Sequence, residues 1–309
     1  MSFLTIFSAP KPFTDPHINT IQRNAIKSWC HLGPEVDVLL VGEEAGLAEV
    51  AAEYDIPLLT NVSRNDSGTP LVNSIFAQAR EFSTNPYLAY VNADILLTPD
   101  MVRATRKIMG IYSSEQPFLM IGQRWDLEVD QPLDIYKKKD EWESWLHNEV
   151  KCRGKLHRPA GSDYFIFPRS IFLEIPDFSI GRAGWDNWMI YFARRQGWPV
   201  IDGTPSIMIV HQSHDYSHLS EGKPHYDQVE SQRNMEIAGG LANMYMVLDA
   251  DWQLVDGQIR HNPLTPMRLI RGMERWLMPK DGSFRGIRGF LARRFRRLRR
   301  KQQIPAERA

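Results

Sequence analysis

Asn92-Ala93-Asp94 sits between two apolar runs, Tyr87 to Val91 and Ile95 to Leu97. A run that is apolar at every position predicts a strand covered on both faces, so the triplet stands where that strand leaves the core. A carboxylate at the carboxyl end of a central parallel strand lies in the crevice where open α/β sheets bind ligands. Asp94 is therefore the first candidate to hold a divalent cation. Three histidines, His211, His214 and His218, follow a later apolar run, Ile207 to Val210. Their spacing would form one face of a helix and suit zinc. The preceding run predicts a strand instead, which puts His211 in a loop at a strand end, where its imidazole can join Asp94 on a metal. Asp186 follows Gly184-Trp185 at the start of a predicted helix, whose positive end favours the ionised carboxylate. It suits either a cap or a general base. Asp163, after Gly161-Ser162, is a second acid of the same kind. Tyr164, Trp185 and Trp188 can stack on sugar faces or pack in the core.

The elements that must position these groups follow a regular rhythm. Phe3 to Phe7 predicts a strand, and Asp15-Pro16 opens a helix with Ile18, Ile21, Ala25, Ile26 and Trp29 at helical spacing. Strands at Val36 to Val41 and Ile56 to Leu59 alternate with helices at Leu47 to Tyr54 and Pro70 to Phe82. Thr98-Pro99-Asp100 opens the helix after the triplet. This alternation predicts a parallel sheet with right-handed crossovers. The loops after the first three strands carry Ser8, Glu43 and Arg64, and all would open on the edge that holds Asp94. Residues 126–154 are very polar and contain Trp142 and Trp145, which predicts either an inserted helix or lid near the site or a solvated helix with the two tryptophans packed underneath. From Ser220 to Gly257 the chain reads as irregular apart from a helix around Glu230 to Met246.

Composition excludes several classes. With 309 residues, 43% hydrophobic and 24% charged, the chain can bury a full core. Net charge is zero but unevenly placed: residues 285–301 hold nine basic residues and no acid. Without these and the Glu307/Arg308 pair, 27 basic and 36 acidic residues remain, an acidic body that argues against specific nucleic-acid binding. Cys30 and Cys152 lack metal-ligand spacing and imply free thiols in a reducing, cytoplasmic setting. The N-terminal segment lacks the pattern of a signal peptide, and no apolar run approaches a membrane span. Ile287, Phe290, Leu291, Phe295 and Leu298 keep helical spacing among the arginines. That pattern predicts an interfacial helix on an anionic membrane surface, at the inner face. The expected division is a catalytic domain at 1–262 and a basic amphipathic appendage at 263–309.

As an ordered set, these residues resemble the nucleotide-sugar glycosyltransferases of the GT-A fold, of the family 2 type, over Phe3 to His218. The resemblance implies a Rossmann-like, mostly parallel sheet flanked by helices. In that family an Asp-x-Asp triplet holds the metal that binds the donor's diphosphate. Here Asn92 replaces the first acid, so the metal role passes to Asp94, with Asn92 left for ribose or sugar. The Gly-rich acceptor segment resembles Gly161 to Phe167, and the acidic pair that supplies the base resembles Trp185-Asp186, of which only Asp186 is acidic. His211 matches a late histidine that some members add to the metal. The resemblance implies a manganese or magnesium ion, a nucleotide-diphosphate sugar as donor and a glycan or lipid-linked acceptor. Ser8, Glu43, Arg64 and Asn92 fall on the donor side, and Asp163, Tyr164, Trp185 and His214 on the acceptor side. The competing readings are a sugar-nucleotide pyrophosphorylase, disfavoured because Ser8-Ala9-Pro10-Lys11-Pro12 has no glycine, a zinc hydrolase on the histidines, and a non-catalytic glycan- or membrane-binding protein.

Overall fold

The computed structural model describes residues 2–129, 131–135, 141–213, 228–279 and 284–302. The first half alternates as expected: β1 (Leu4–Ser8), α1 (Pro16–Cys30), β2 (Val36–Val41), α2 (Leu47–Glu53), β3 (Leu58–Leu59), α3 (Val72–Phe82) and β4 (Tyr87–Val91). Asp15 caps α1 by accepting the Ile18 N–H at 2.9 Å, and Pro16 takes the first helical position. β3 is shorter than expected, only two residues. These strands lie in the order β3-β2-β1-β4, all parallel, the order of a doubly wound sheet. Neighbours of β1 lie on both its sides, so the chain reverses direction across the sheet between β1 and β4. That switch point is where such sheets bind ligands.

β4 shows why the apolar run is continuous. Tyr87, Ala89 and Val91 face one layer, with Ile26 and Trp29 of α1 and Val50 of α2. Leu88 and Tyr90 face the other, with Phe76 of α3. Every residue of the strand is buried, and the period-two alternation distributes them between two cores.

The chain continues through β5 (Ile95–Leu96), α4 (Asp100–Met109), β6 (Leu119–Ile121), β7 (Arg124–Glu128), α5 (Trp142–Arg153), β8 (Lys155–Leu156) and β9 (Tyr164–Pro168). β9 enters the main sheet antiparallel to both β4 and β6. Then come α6 (Trp185–Arg195), β10 (Val200–Asp202), β11 (Ile209–Ser213), α7 (Val229–Ile237), β12 (Trp252–Val255) and β13 (Gln258–His261). Among the described residues the main sheet has nine strands, ending β4-β9-β6-β10-β12-β13. A second sheet, β5-β11-β7-β8, stands beside it. The polar insert is thus partly structural: Trp142, Leu146 and Val150 of α5 are buried against Leu96, Leu127 and Val210 of the second sheet.

Two expectations fail locally. The helix foreseen to Met246 stops at Ile237, because Gly239 and Gly240 adopt φ of 81° and 90° and cannot continue it. Part of the region read as irregular is the β12–β13 hairpin, closed by Asp256-Gly257 with φ of 51° and 72°. An Asp-Gly pair with both residues at positive φ is the preferred two-residue hairpin turn.

After the hairpin come α8 (Pro266–Leu277) and α9 (Gly286–Gln302). A buried ion network fastens them to the preceding elements. Arg271 Nη2 donates to Asp249 Oδ2 at 2.7 Å, and its Nη1 lies 3.2 Å from Glu274 Oε1. Arg299 of α9 reaches Glu274 Oε2 at 2.7 Å. Burial alone would raise the Asp249 carboxyl, but Arg271 and Arg275 outweigh it and hold the carboxyl below its usual range. Removing one partner of a buried pair leaves uncompensated charge. Arg271→Ala is expected to cost about 3–5 kcal/mol of stability, read by urea unfolding. A loss below about 1 kcal/mol would show that water already solvates the network.

Candidate active site

Strand register assembles the site. In the β4–β9 pair Val91 lies opposite Tyr164, which puts Asn92 beside Asp163 just past the strand ends. The Asn92 N–H donates to the Asp163 carbonyl at 2.9 Å, and Asn92 Nδ2 donates to Asp163 Oδ1 at 2.7 Å. In the second sheet His211 lies opposite Asp126 on one side and Ile95 on the other. The backbone around Asp94 is held from several directions. Trp29 Nε1 donates to the Ile95 carbonyl at 2.8 Å, and the Leu97 N–H donates to Ser28 Oγ at 3.0 Å. The Gln212 N–H and its Nε2 both donate to the Asp94 carbonyl, at 3.3 and 3.1 Å, and Nε2 also reaches the Ile21 carbonyl at 2.7 Å.

The side chains form one chain of contacts. His211 Nε2 lies 3.5 Å from Asp94 Oδ2, and its Nδ1 lies 3.3 Å from Asp126 Oδ1. Burial would push the imidazole down, but Asp94 and Asp126 outweigh burial and raise it to about 9. Asp126 also accepts from His157 Nδ1 at 2.7 Å and Arg124 Nε at 2.9 Å. Desolvation opposes ionisation of Asp126, yet His157, His211 and Arg124 hold its carboxyl far below the usual range. Arg124 Nη1 continues to Asp163 Oδ1 at 3.0 Å.

Asp186 stands in the first turn of α6, with Gly184 in a left-handed conformation just before it. Its side chain abuts Gly161: a Cβ on that glycine would come within 2.1 Å of Asp186 Oδ2. Burial, and secondarily the charge of Asp163, push the Asp186 carboxyl up to about 6, against the backbone N–H groups of the helix start. It remains half-buried rather than sealed. Asn187 beside it is clamped, its Nδ2 donating to the carbonyls of Ala160 and Tyr245 at 2.8 and 2.6 Å.

The expected residues divide. Asp94, His211, Asn92, Asp163 and Asp186 lie about the carboxyl ends of β4 and the turns facing them. His211 lies within β11 rather than in a loop past its end, because the strand continues to Ser213 through pairing with β7. Glu43 and Arg64 share the same sheet edge and pair with each other at 3.2 Å; Arg64 also meets Glu44 at 3.0 Å. Ser8 is at that edge but fully buried, with no hydrogen bond to its Oγ. Tyr164 and Trp185 are corrections: both are core residues rather than acceptor platforms. Tyr164 is fully buried, and Trp185 packs on Tyr90 and Phe165 with ring centroids 5.1 and 5.4 Å apart. β9 is covered on both faces, so its first aromatic turns into the sheet. Trp188 is buried with them. His214 and His218 lie outside the described residues. Asp126, Arg124, His157 and Gln212 were missed. The signal was Arg124-x-Asp126, two charges on one face of a strand, hidden inside a stretch read as a polar insert.

The donor set suits a divalent ion in part. A carboxylate and an imidazole whose other nitrogen is held by a carboxylate form a recurrent half of a metal site. Among the described residues no three His, Cys, Asp or Glu side chains form a complete cage. Asp94 and His211 would therefore leave positions to phosphate oxygens and water, as magnesium and manganese sites at phosphates do. A separate groove of about 750 Å³, lined by Tyr191, Arg195, Tyr245, Arg275 and Trp276, shares no residue with this cluster.

No family model and no curated protein matches the chain. Among solved structures it is similar to glucosyl-3-phosphoglycerate synthase from Mycobacterium tuberculosis with Mn2+, UDP and glucosyl-3-phosphoglycerate: 12% identity, 86% of this chain and 88% of that one, TM-score 0.46. It is similar to mannosyltransferase PcManGT from Pyrobaculum calidifontis with GDP-Man and Mn2+: 13% identity, 70% and 58% covered, TM-score 0.41. A third is S. aureus TarS 1-349 with UDP-GlcNAc: 12% identity, 44% of this chain and 38% of that one, TM-score 0.32. In these matches the chain spans 38% of the TarS fragment and 58% of the mannosyltransferase. The fold itself is read from the strand order and register above.

Proposed function

We propose that this protein transfers a sugar from a nucleotide-diphosphate sugar to a hydroxyl of a glycan or glycolipid acceptor, with inversion at the anomeric carbon. The observation that carries the reading is the meeting of Asp94 and His211 with Asp163 and Asp186 at the switch point of a doubly wound sheet. Asp94 and His211 would hold a divalent cation, which when bound supplies Lewis-acid stabilisation to the departing diphosphate. Asp126 lies 3.3 Å from the other ring nitrogen of His211, where a carboxylate commonly supports a ligating histidine. Asn92 and Arg124 fix Asp163, and burial, with the Asp163 charge adding to it, keeps Asp186 basic enough to accept a proton. Asp186 takes the proton of the attacking hydroxyl as the new O–C bond forms. The bond from the anomeric carbon to the diphosphate oxygen breaks with its electron pair leaving on that oxygen. Glu43 and Arg64 border the nucleotide end.

The test is a thermal-shift screen of nucleoside diphosphates with and without manganese. One diphosphate at about a hundred times its Kd should add roughly 2.7 kcal/mol of stability, and only when metal is present. Stabilisation by none of them, or equally with chelator, would overturn the reading.

A further inference from the structure

α8 and α9 pack against each other, and the ion network holds one side of the pair against the body. Arg268, Arg271 and Arg275 on α8 point inward, to the Leu248 carbonyl and to Asp249. Another side of α8 carries Leu269, Met273 and Trp276, at i, i+4 and i+7, all exposed, with Trp276 at the rim of the groove against Tyr191 and Tyr245. On α9, Ala292 and Arg299 turn inward, and Ile287, Leu291 and Leu298 form a second exposed stripe. The two stripes adjoin: Arg288 Nη2 donates to the Trp276 carbonyl at 2.9 Å, and its guanidinium lies 5.9 Å from the Trp276 ring centroid. Trp276 is 68% exposed and Ile287 81%, far more than apolar side chains this large need on a surface with no occupant.

Charge selects the occupant. Residues 285–301 contribute nine cations and no acid. The only acid in either helix, Glu274, is turned inward onto Arg271 and Arg299. A second copy of the same face would bring like charges together, whereas a face both apolar and cationic complements an anionic lipid leaflet. Among the described residues no helix is long and apolar enough to cross a membrane.

We infer that the exposed apolar face of the α8–α9 pair is an interfacial membrane-docking surface, inserting Leu269, Met273, Trp276, Ile287, Leu291 and Leu298 into an anionic leaflet with the arginines at the headgroups. This extends the expected single interfacial helix to a two-helix platform, and it stands independently of glycosyl transfer.

The test is co-sedimentation of the full chain with phosphatidylcholine vesicles, with and without phosphatidylserine. Wild type should pellet with the anionic vesicles and weakly with the neutral ones. A variant combining Leu269→Ser, Trp276→Ser, Ile287→Ser and Leu291→Ser keeps every cation and should bind at least about tenfold more weakly. Unchanged thermal unfolding of this variant verifies its fold. Where that variant unfolds, quenching of wild-type tryptophan fluorescence by brominated lipid, reduced in Trp276→Phe, reports the same insertion. Equal pelleting of the variant, or no quenching change in Trp276→Phe, would overturn the proposal. So would salt-sensitive binding to RNA by wild type and variant alike with no binding to vesicles.

Discussion

Asp94→Asn is expected to lower kcat/KM for sugar transfer by about 10²–10³-fold, the size of effect seen when one electrostatic stabiliser of a developing anion is removed. The substitution keeps side-chain shape and removes the charge. The fold should tolerate it, because Gln212 and Trp29 hold the Asp94 region through the backbone carbonyls of Asp94 and Ile95. Loss of the charge beside the buried His211 should lower stability by urea unfolding while leaving the chain folded, and manganese-dependent stabilisation by a nucleoside diphosphate should vanish. The two readouts separate a ligand-binding role from a structural one. Wild-type transfer rates in Asp94→Asn would remove the metal assignment altogether.

Asp186→Asn tests the other half of the reaction. A positioned general base contributes about 10²–10⁴-fold, so kcat should fall by that factor with KM for the donor nearly unchanged. The pH profile supplies an independent check. Burial places the wild-type carboxyl at about 6, and a base must be deprotonated to act. Turnover should therefore be low below pH 6 and rise to a plateau above it, and the acid limb should disappear in the variant. Gly161→Ala probes the same group without touching it, since the new Cβ would displace the Asp186 carboxylate. A misplacement of that order can cost up to about 10²-fold in rate. A retained acid limb near pH 6 in Asp186→Asn would assign the base elsewhere.

Local chemistry accounts for what was readable. The continuous apolar run of β4 requires cover on both sides, and the structure provides it with two separate cores. Asp15-Pro16 starts α1 through a cap and a fixed proline φ, interactions contained within four residues. Signals of that range survive any tertiary context. Asp256-Gly257 was equally local, an Asp-Gly turn between two short strands, yet the polar surroundings hid it. Tyr164 and Trp185 failed for the opposite reason. An aromatic beside a polar loop has the same local signature whether it lines a cleft or fills a core, and only the packing partners decide.

The sequence alone determined the alternating α/β plan, the strand whose end carries Asp94, and the helix start that carries Asp186, because periodicity and capping act between near neighbours. Tertiary structure decided which charges meet. Asp126 reaches His211 because β7 and β11 pair in one register, and Asp163 reaches Asn92 because β9 runs antiparallel to β4. Those partners are 85 and 71 residues apart in the chain. A shift of either register by one residue would turn the side chains to the other face, a choice made by long-range burial rather than by any local pattern.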